Sequence, residues 1–277
     1  MSNYGNIAKN QKAQPSVLPP QKGFFGHPKG LSTLFFTEVW ERFSYYGMRA
    51  ILLFYMYDQI AHGGLGLSQG TAAAIMSAYG ALVFMSGIIG GWLADRLLGT
   101  FRSILVGGVL IMLGHVALAI PAGVEALFIS MILIIVGTGL LKPNASNAVG
   151  QLYTQGDIRR DAGFSIYYMG INMGAFIAPY IVGTLGQRVN YHLGFGMAAI
   201  GMALGLIIFL LTAKKNLPKT SFKPMNPVKS GEVKTLSYKF LGGAIVIALL
   251  LVVFQQIGIL TIHFFVNCIT IVHARII

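Results

Sequence analysis

From residue 31 to about residue 257 the chain is a succession of apolar blocks, each close to the length that crosses a bilayer, with short polar breaks between them except for a longer basic stretch before the last. A spanning helix needs about 20 apolar residues, with a working range of roughly 17–25. The blocks predict helices over Leu31–Ile60, Thr71–Leu93, Ser103–Ile120, Ala126–Leu141 (continuing past Lys142), Ala162–Gln187 and Leu193–Ala213. A seventh runs from Phe240 to about Ile257, and Gly258–Ile277 starts an eighth. The apolar runs are continuous rather than alternating, which argues against strands. Only 10% of the residues are charged and 55% are hydrophobic, whereas a soluble domain carries about 25% charged residues. The reading is an all-α polytopic membrane protein, and it excludes a soluble enzyme, a disordered chain and a disulfide scaffold. The one cysteine, Cys268, has no intrachain partner for a disulfide, and the 35 glycines suit closely packed spanning helices.

The formal net charge of +12 reads as topology rather than as a nucleic-acid surface, because the basic residues cluster at the ends of apolar blocks. They gather in the leading tail (Lys9, Lys12, Lys22, Lys29), between segments two and three (Arg96, Arg102) and between segments four and five (Arg159, Arg160). A further run follows segment six (Lys214, Lys215, Lys219, Lys223, Lys229, Lys234, Lys239). The loops of the opposite side hold Arg188. The positive-inside rule then predicts a cytoplasmic N-terminus, with the basic run after segment six lying near anionic lipid. The expected organisation is a cytoplasmic tail over 1–30, a six-helix bundle over 31–213, a basic linker over 214–239 and an auxiliary helix pair over 240–277. The tail lacks the short apolar core and cleavage site of a signal peptide.

Segment one is the informative exception to this apolarity. It carries Glu38, Glu41, Arg42 and Arg49, at about 2.5–3.5 kcal/mol each near a bilayer centre. At about 100° per residue, Glu38, Glu41, Arg42, Tyr45, Tyr46 and Arg49 fall within an arc of roughly 140°. Phe36, Val39, Trp40, Phe43, Ile51 and Phe54 occupy the other side. The polar face is therefore expected inside the bundle. Glu38 and Arg42 are spaced for an i,i+4 ion pair, but apolar residues would pack a purely structural helix more cheaply. Binding or proton transfer is the favoured reading of such a face.

Lys142 ends segment four in Gly139-Leu140-Leu141-Lys142-Pro143-Asn144. It reads either as a snorkelling lysine or as a cavity cation, with Pro143 interrupting the helix ladder locally. Segment five has a polar centre of Tyr167, Tyr168 and Asn172 between Gly170 and Gly174, glycines spaced for close helix approach. Asn172 fits an interhelical hydrogen bond or a ligand contact, and Tyr79 in segment two fits packing or a pocket wall. His115, alone in an apolar helix, reads as a packed or hydrogen-bonded histidine. The stretch Gly91–Gly99 reads as a tight latch between segments two and three, with Asp95 placed for a helix N-terminus and Arg96 available for a partner. No clustered Cys/His metal spacing, no nucleophile–base constellation and no phosphate-binding Gly-Lys-Ser/Thr loop appears, so metal, enzymatic and ATP-driven readings are disfavoured.

Glu38-Val39-Trp40-Glu41-Arg42-Phe43-Ser44-Tyr45-Tyr46-Gly47 resembles the first-helix motif of the proton-dependent oligopeptide transporter (POT/PTR) family. Gly91–Gly99 resembles the corresponding loop of the major facilitator superfamily that contains it. Leu141–Asn144 and Phe164–Gly174 also resemble family signatures, and the resemblance covers about residues 24–270. It implies two six-helix bundles rocking around a central cavity, with di- and tripeptides carried together with protons and no other cofactor. It further implies that Glu38, Glu41 and Arg42 serve proton coupling, and that Arg49, Lys142 and Asn172 bind peptide. Tyr45, Tyr46 and Tyr79 would line the pocket, and Gly91, Asp95, Arg96 and Gly99 would form a gating loop. On this reading deprotonated Glu41 pairs with Arg42 and Lys142, and protonation frees cations for the peptide carboxylate. Two alternatives stand beside it, a proton-coupled carrier of another small solute such as nitrate and a non-transporting fragment. The fragment reading rests on 240–277. Gly242–Phe254 is uniformly apolar, Gln255 and Gln256 stand where an acidic residue is expected, and Val272–Ile277 breaks the apolar pattern, as in a truncated or frame-shifted product.

Overall fold

The computed structural model describes residues 23–228 and Glu232; the expected auxiliary helix pair over 240–277 lies outside them. The long helices are α1 (Lys29–Tyr57), α2 (Gln69–Leu93), α3 (Thr100–Ala119), α4 (Gly123–Gln151), α5 (Arg160–Arg188, through a π-helical turn at Pro179–Gly183) and α6 (Tyr191–Asn216). These are the six helices expected over 31–213, and no strand occurs among the described residues. All but α1 are long and apolar enough to span a membrane on composition alone. α1 has 29 residues, ample at about 1.5 Å per residue, and its own charges keep it out of that group. Side-chain caps set two of the starts: the Thr71 amide donates to Ser68 Oγ at 3.1 Å and the His192 amide to Asn190 Oδ1 at 2.7 Å.

The helices pack in a row that curls back on itself, since α1 also touches α2 and α4, and α4 touches α5. α1 lies between α5 and α6, α6 also packs on α3, α3 on α4, and α4 on α2. α2 and α5 end the row and are the least buried of the apolar spans. Glycines set the closest approaches. A Cβ on Gly170 would meet the Phe35 ring at 2.9 Å, and one on Gly174 would strike the Val39 carbonyl and the Arg42 side chain. On the other flank Gly201 faces Phe43 and Gly205 faces Trp40 and the Thr37 carbonyl. Two four-residue glycine spacings therefore grip α1 from both sides. Sequence reasoning singled out the first pair and missed the second, although Gly201-Met202-Ala203-Leu204-Gly205 carries the same signal.

Pro143 interrupts the ladder only locally, and α4 runs through it to Gln151. Proline still removes the donor for the Gly139 carbonyl. Gly90 of α2 packs so closely on that carbonyl that a Cβ would overlap it, a Cα–H···O contact of the kind that joins tightly packed helices. Asn144 adds a second stitch, donating from Nδ2 to Leu140 O at 2.7 Å and to Gly90 O at 3.3 Å.

The stretch Gly91–Gly99 is mostly helical rather than a loop. α2 passes into a π-helical turn at Ala94–Leu98, and the chain reverses at Gly99, whose φ of 77° favours glycine. Gly91 is not a close-contact residue, since a Cβ there meets open space. At the same end of the bundle, Arg159 pairs with Asp157 at 2.8 Å and donates to Gly26 O at 3.4 Å, while His27 Nδ1 lies 3.0 Å from Tyr153 Oη. The Arg159 hydrogen bonds hold the Asp157 carboxyl down to about 2, so this clip stays ionised at physiological pH. It ties the residues before α1 to the α4–α5 turn.

Candidate functional site

The buried apolar residues fall into two clusters. One runs from Phe43 of α1 toward Tyr55, Leu118 and Tyr191, and the other takes in Leu31, Leu34, Phe101, Leu141, Tyr167 and Phe209. Along α1 the gap between Leu34 and Phe43 holds Glu38, Glu41 and Arg42, which are 1%, 0% and 3% exposed. The expectation of an inward polar face holds for these three and for Tyr45, also buried. The charges cross the seam between the two apolar clusters, where they are sealed from solvent.

Arg42 Nε lies 3.0 Å from Glu38 Oε1 and also contacts Glu41 Oε2. Glu38 Oε2 accepts a 2.6 Å hydrogen bond from Tyr167 Oη of α5. Glu41 Oε1 and Arg42 Nη2 have no hydrogen-bond partner among the described residues. Two carboxylates share one guanidinium, so the cluster has one negative charge in excess when both acids are ionised, and one proton brings it to neutrality. That charge count distinguishes it from a self-neutralised structural pair.

A stripe leads outward from the cluster along α1 at spacings of four, three and four residues: Glu38, Arg42, Tyr45, Arg49. The Arg42 guanidinium stands 5.5 Å from the Tyr45 ring centroid, and Arg49 Nη1 donates to Tyr45 Oη at 3.4 Å. Tyr46 packs edge-on to Tyr45 at 5.3 Å and is partly open to the surface, as is Arg49. Tyr79 is 2% exposed and its hydroxyl has no partner among the described residues. It lies within electrostatic reach of Tyr45, Arg49, Glu41 and Arg42.

Other expected contacts are corrected. Lys142 makes no ion pair with Glu41 among the described residues; its ammonium lies 5.3 Å from the centroid of the Phe84 ring, on the exposed side of α4, a cation–π contact. It remains within electrostatic reach of Glu41, Glu38 and Arg42. Asn172 makes no side-chain bond between helices among the described residues. It donates to the Tyr168 carbonyl one turn back at 3.0 Å and stays exposed. Arg96, expected to be available for a partner, is ion-paired with Glu232. His115 is fully buried and both its nitrogens lack a partner among the described residues, which supports the packed reading and not the hydrogen-bonded one.

Tyr167 is the residue whose role sequence reasoning missed. It was visible as part of a polar centre in α5, but nothing local showed that its hydroxyl reaches Glu38, 129 positions away. Tyr167→Phe should cost about 1–3 kcal/mol by leaving a buried carboxylate oxygen without its donor. Thermal unfolding of Tyr167→Phe, Glu38→Gln and the double variant should show a coupling energy between the two sites. Strict additivity would show that the bond contributes nothing.

A profile described as POT family matches residues 101–239. The chain is 60% identical over 252 residues to a Bacillus subtilis protein named uncharacterized transporter YclF, covering 91% of this chain and 50% of that one. It is 58% identical over 212 residues to a di-/tripeptide transporter of Lactococcus lactis subsp. lactis, covering 76% of this chain and 43% of that one. Among solved structures it is similar to a crystal structure of a point mutant of peptide transporter POT. The TM-score is 0.83 at 61% identity, with 91% of this chain and 52% of that chain covered. The chain thus spans about half the length of the curated relatives it matches.

Proposed function

The chain belongs to the POT family, and on that premise we propose that it supplies one six-helix half of a proton-coupled symporter carrying di- and tripeptides across the cell membrane by alternating access. The observation that carries this reading is the sealed Glu38–Glu41–Arg42 cluster with its one excess acid, joined through Tyr45 to the exposed Arg49. A proton taken up by the cluster changes the hold on Arg42, whose guanidinium stacks on the tyrosine that Arg49 grips. Arg49 and Lys142 are exposed cations within spans, and facing hydrocarbon would cost about 2.5–3.5 kcal/mol each near the bilayer centre. Their side of the row therefore faces water or protein, and in this reading a second bundle closes it against α2 and α5.

A peptide brings one carboxylate, one ammonium and unpaired amide groups. Arg49 and Lys142 supply cations for the carboxylate, Asn172 supplies an amide, and Tyr45, Tyr46 and Tyr79 supply walls and hydroxyls. The stretch Gly91–Gly99, with Asp95 and Arg96, gates the inner end, and the N-terminus lies in the cytoplasm. Protons are the coupling ion, and neither ATP nor a cofactor is required. The relatives' names support peptide rather than nitrate as the solute.

The test uses a full-length transporter that carries this sequence as its first bundle, reconstituted in liposomes with an inward proton gradient. Labelled dipeptide uptake should fall at least about tenfold when unlabelled dipeptide is added in excess and should not respond to nitrate. Nitrate uptake with no dipeptide uptake would assign the bundle to the other solute class.

A further inference from the structure

The chain beyond α6 doubles back across the inner end of the bundle instead of leaving it. A 3-10 turn at Lys219–Phe222 sets the Phe222 ring 4.7 Å from Phe101, which stacks in turn on Phe209 at 5.2 Å. Ser221, fully buried, donates from Oγ to Gln151 Oε1 at 2.7 Å, and Gln151 Nε2 donates to Thr100 Oγ1 at 3.2 Å. The backbone of Lys223 then lies against Gly99 so closely that a Cβ there would stand 2.9 Å from its carbonyl carbon. Further on, the Asn226 amide donates to Asp95 O at 2.9 Å and the Val228 amide to Arg96 O at 3.2 Å. Past these two rungs, Glu232 pairs with Arg96.

We propose that residues 217–228, with Glu232, form a strap that fastens the inner end of α2 to α3, α4 and α6, and that the Arg96–Glu232 pair is its releasable catch. α2 needs such a fastening. It ends the row, has the smallest buried share of the apolar spans, and finishes in a π-helical turn, a ladder irregularity frequent at functional sites. The strap grips that turn through its carbonyls. The two kinds of contact differ in strength. The ring stack and backbone rungs persist, whereas the catch is half exposed and so is weak and screened by salt. α2 also carries Tyr79 and the Phe84 ring beneath Lys142, so releasing the strap frees the helix that forms one wall of the open side. The strap holds α2 in the same way whichever solute the bundle handles.

Residue-resolved hydrogen exchange on the 277-residue chain in lipid nanodiscs tests the strap. The Asn226 and Val228 amides should exchange at least about tenfold more slowly than that of Met225, which makes no backbone bond among the described residues. Phe222→Ala should raise exchange at Asn226, Val228 and the Ala94–Leu98 turn while the α3 and α4 amides stay protected. Glu232→Gln, a surface change that keeps the fold, should raise exchange at Val228 and at the turn. Raising NaCl from about 50 mM to about 500 mM should reproduce its effect in the unaltered chain. Equal exchange at Asn226, Val228 and Met225 would overturn the strap. An unchanged turn in both Phe222→Ala and Glu232→Gln would overturn its hold on α2. Salt-independent exchange at Val228, or no response to Glu232→Gln, would remove the catch.

Discussion

Glu41→Gln, placed in a full-length transporter that carries this bundle, is expected to reduce proton-driven dipeptide uptake at least about tenfold while leaving peptide counterflow intact. The charge count explains both halves of the result. With Gln at 41 the remaining Glu38–Arg42 pair is balanced, so the cluster has no excess acid for a proton to neutralise and the gradient has nothing to act on. Counterflow needs only that loaded carriers cross in both directions. The shape of the site is kept, because Gln fills the same volume and Arg42 keeps its 3.0 Å contact with Glu38. Stability should therefore change little, which distinguishes this variant from Arg42→Leu. Removing the guanidinium would leave two buried carboxylates without a cation, at about 3–5 kcal/mol. Uptake of labelled dipeptide is to be measured with and without a proton gradient, alongside counterflow with unlabelled peptide inside. Proton-driven uptake at the unaltered rate would remove Glu41 from the coupling role and leave it a packing charge.

The helices were legible because the apolar blocks are long and hydrocarbon permits few backbone solutions. The inward face of α1 was legible too, since Glu38, Glu41, Arg42 and Tyr45 recur at helical spacing and must avoid lipid. What was not legible depends on partners distant in sequence. The pairing of Lys142 with Glu41 comes only from the family resemblance, whereas Phe84 of α2 lies beneath its ammonium. Asn172 fits either a bridge between helices or a ligand contact on spacing alone, and its one side-chain bond goes to the Tyr168 carbonyl of its own helix. The bond from Tyr167 to Glu38 and the return of Phe222 onto Phe101 join positions more than a hundred apart, and no periodicity encodes them. Basic residues in the linker predicted its side of the membrane, but its docking rests on Ser221, Phe222 and the backbone of Lys223–Val228, which carry no charge pattern.

The neighbouring glycines 90 and 91 show the same limit on a single turn of helix, and they should respond oppositely to alanine. Both occur in the apolar run of α2, and the motif reading selected Gly91. A methyl group at 91 meets open space, so Gly91→Ala should keep the unfolding midpoint at or slightly above that of the unaltered chain, by up to about 1 kcal/mol of helix propensity. At 90 the methyl falls on the Gly139 carbonyl, a backbone atom that cannot rotate away. Gly90→Ala must push α2 off α4 and stretch the 3.3 Å bond from Asn144 to the Gly90 carbonyl. Overpacking of this kind costs about 1–3 kcal/mol, and the backbone contact puts this site at the upper end, equivalent to roughly 6–12 °C in the midpoint of a domain of this size. Circular dichroism melts of the two variants in the same nanodiscs compare them directly. The displacement should also loosen Phe84 beneath Lys142, so that Gly90→Ala alters the open side of the bundle as well as its stability. Equal midpoints for the two variants would mean that α2 and α4 are not in backbone contact at Gly90. The polar stitch at Asn144 would then lose its basis.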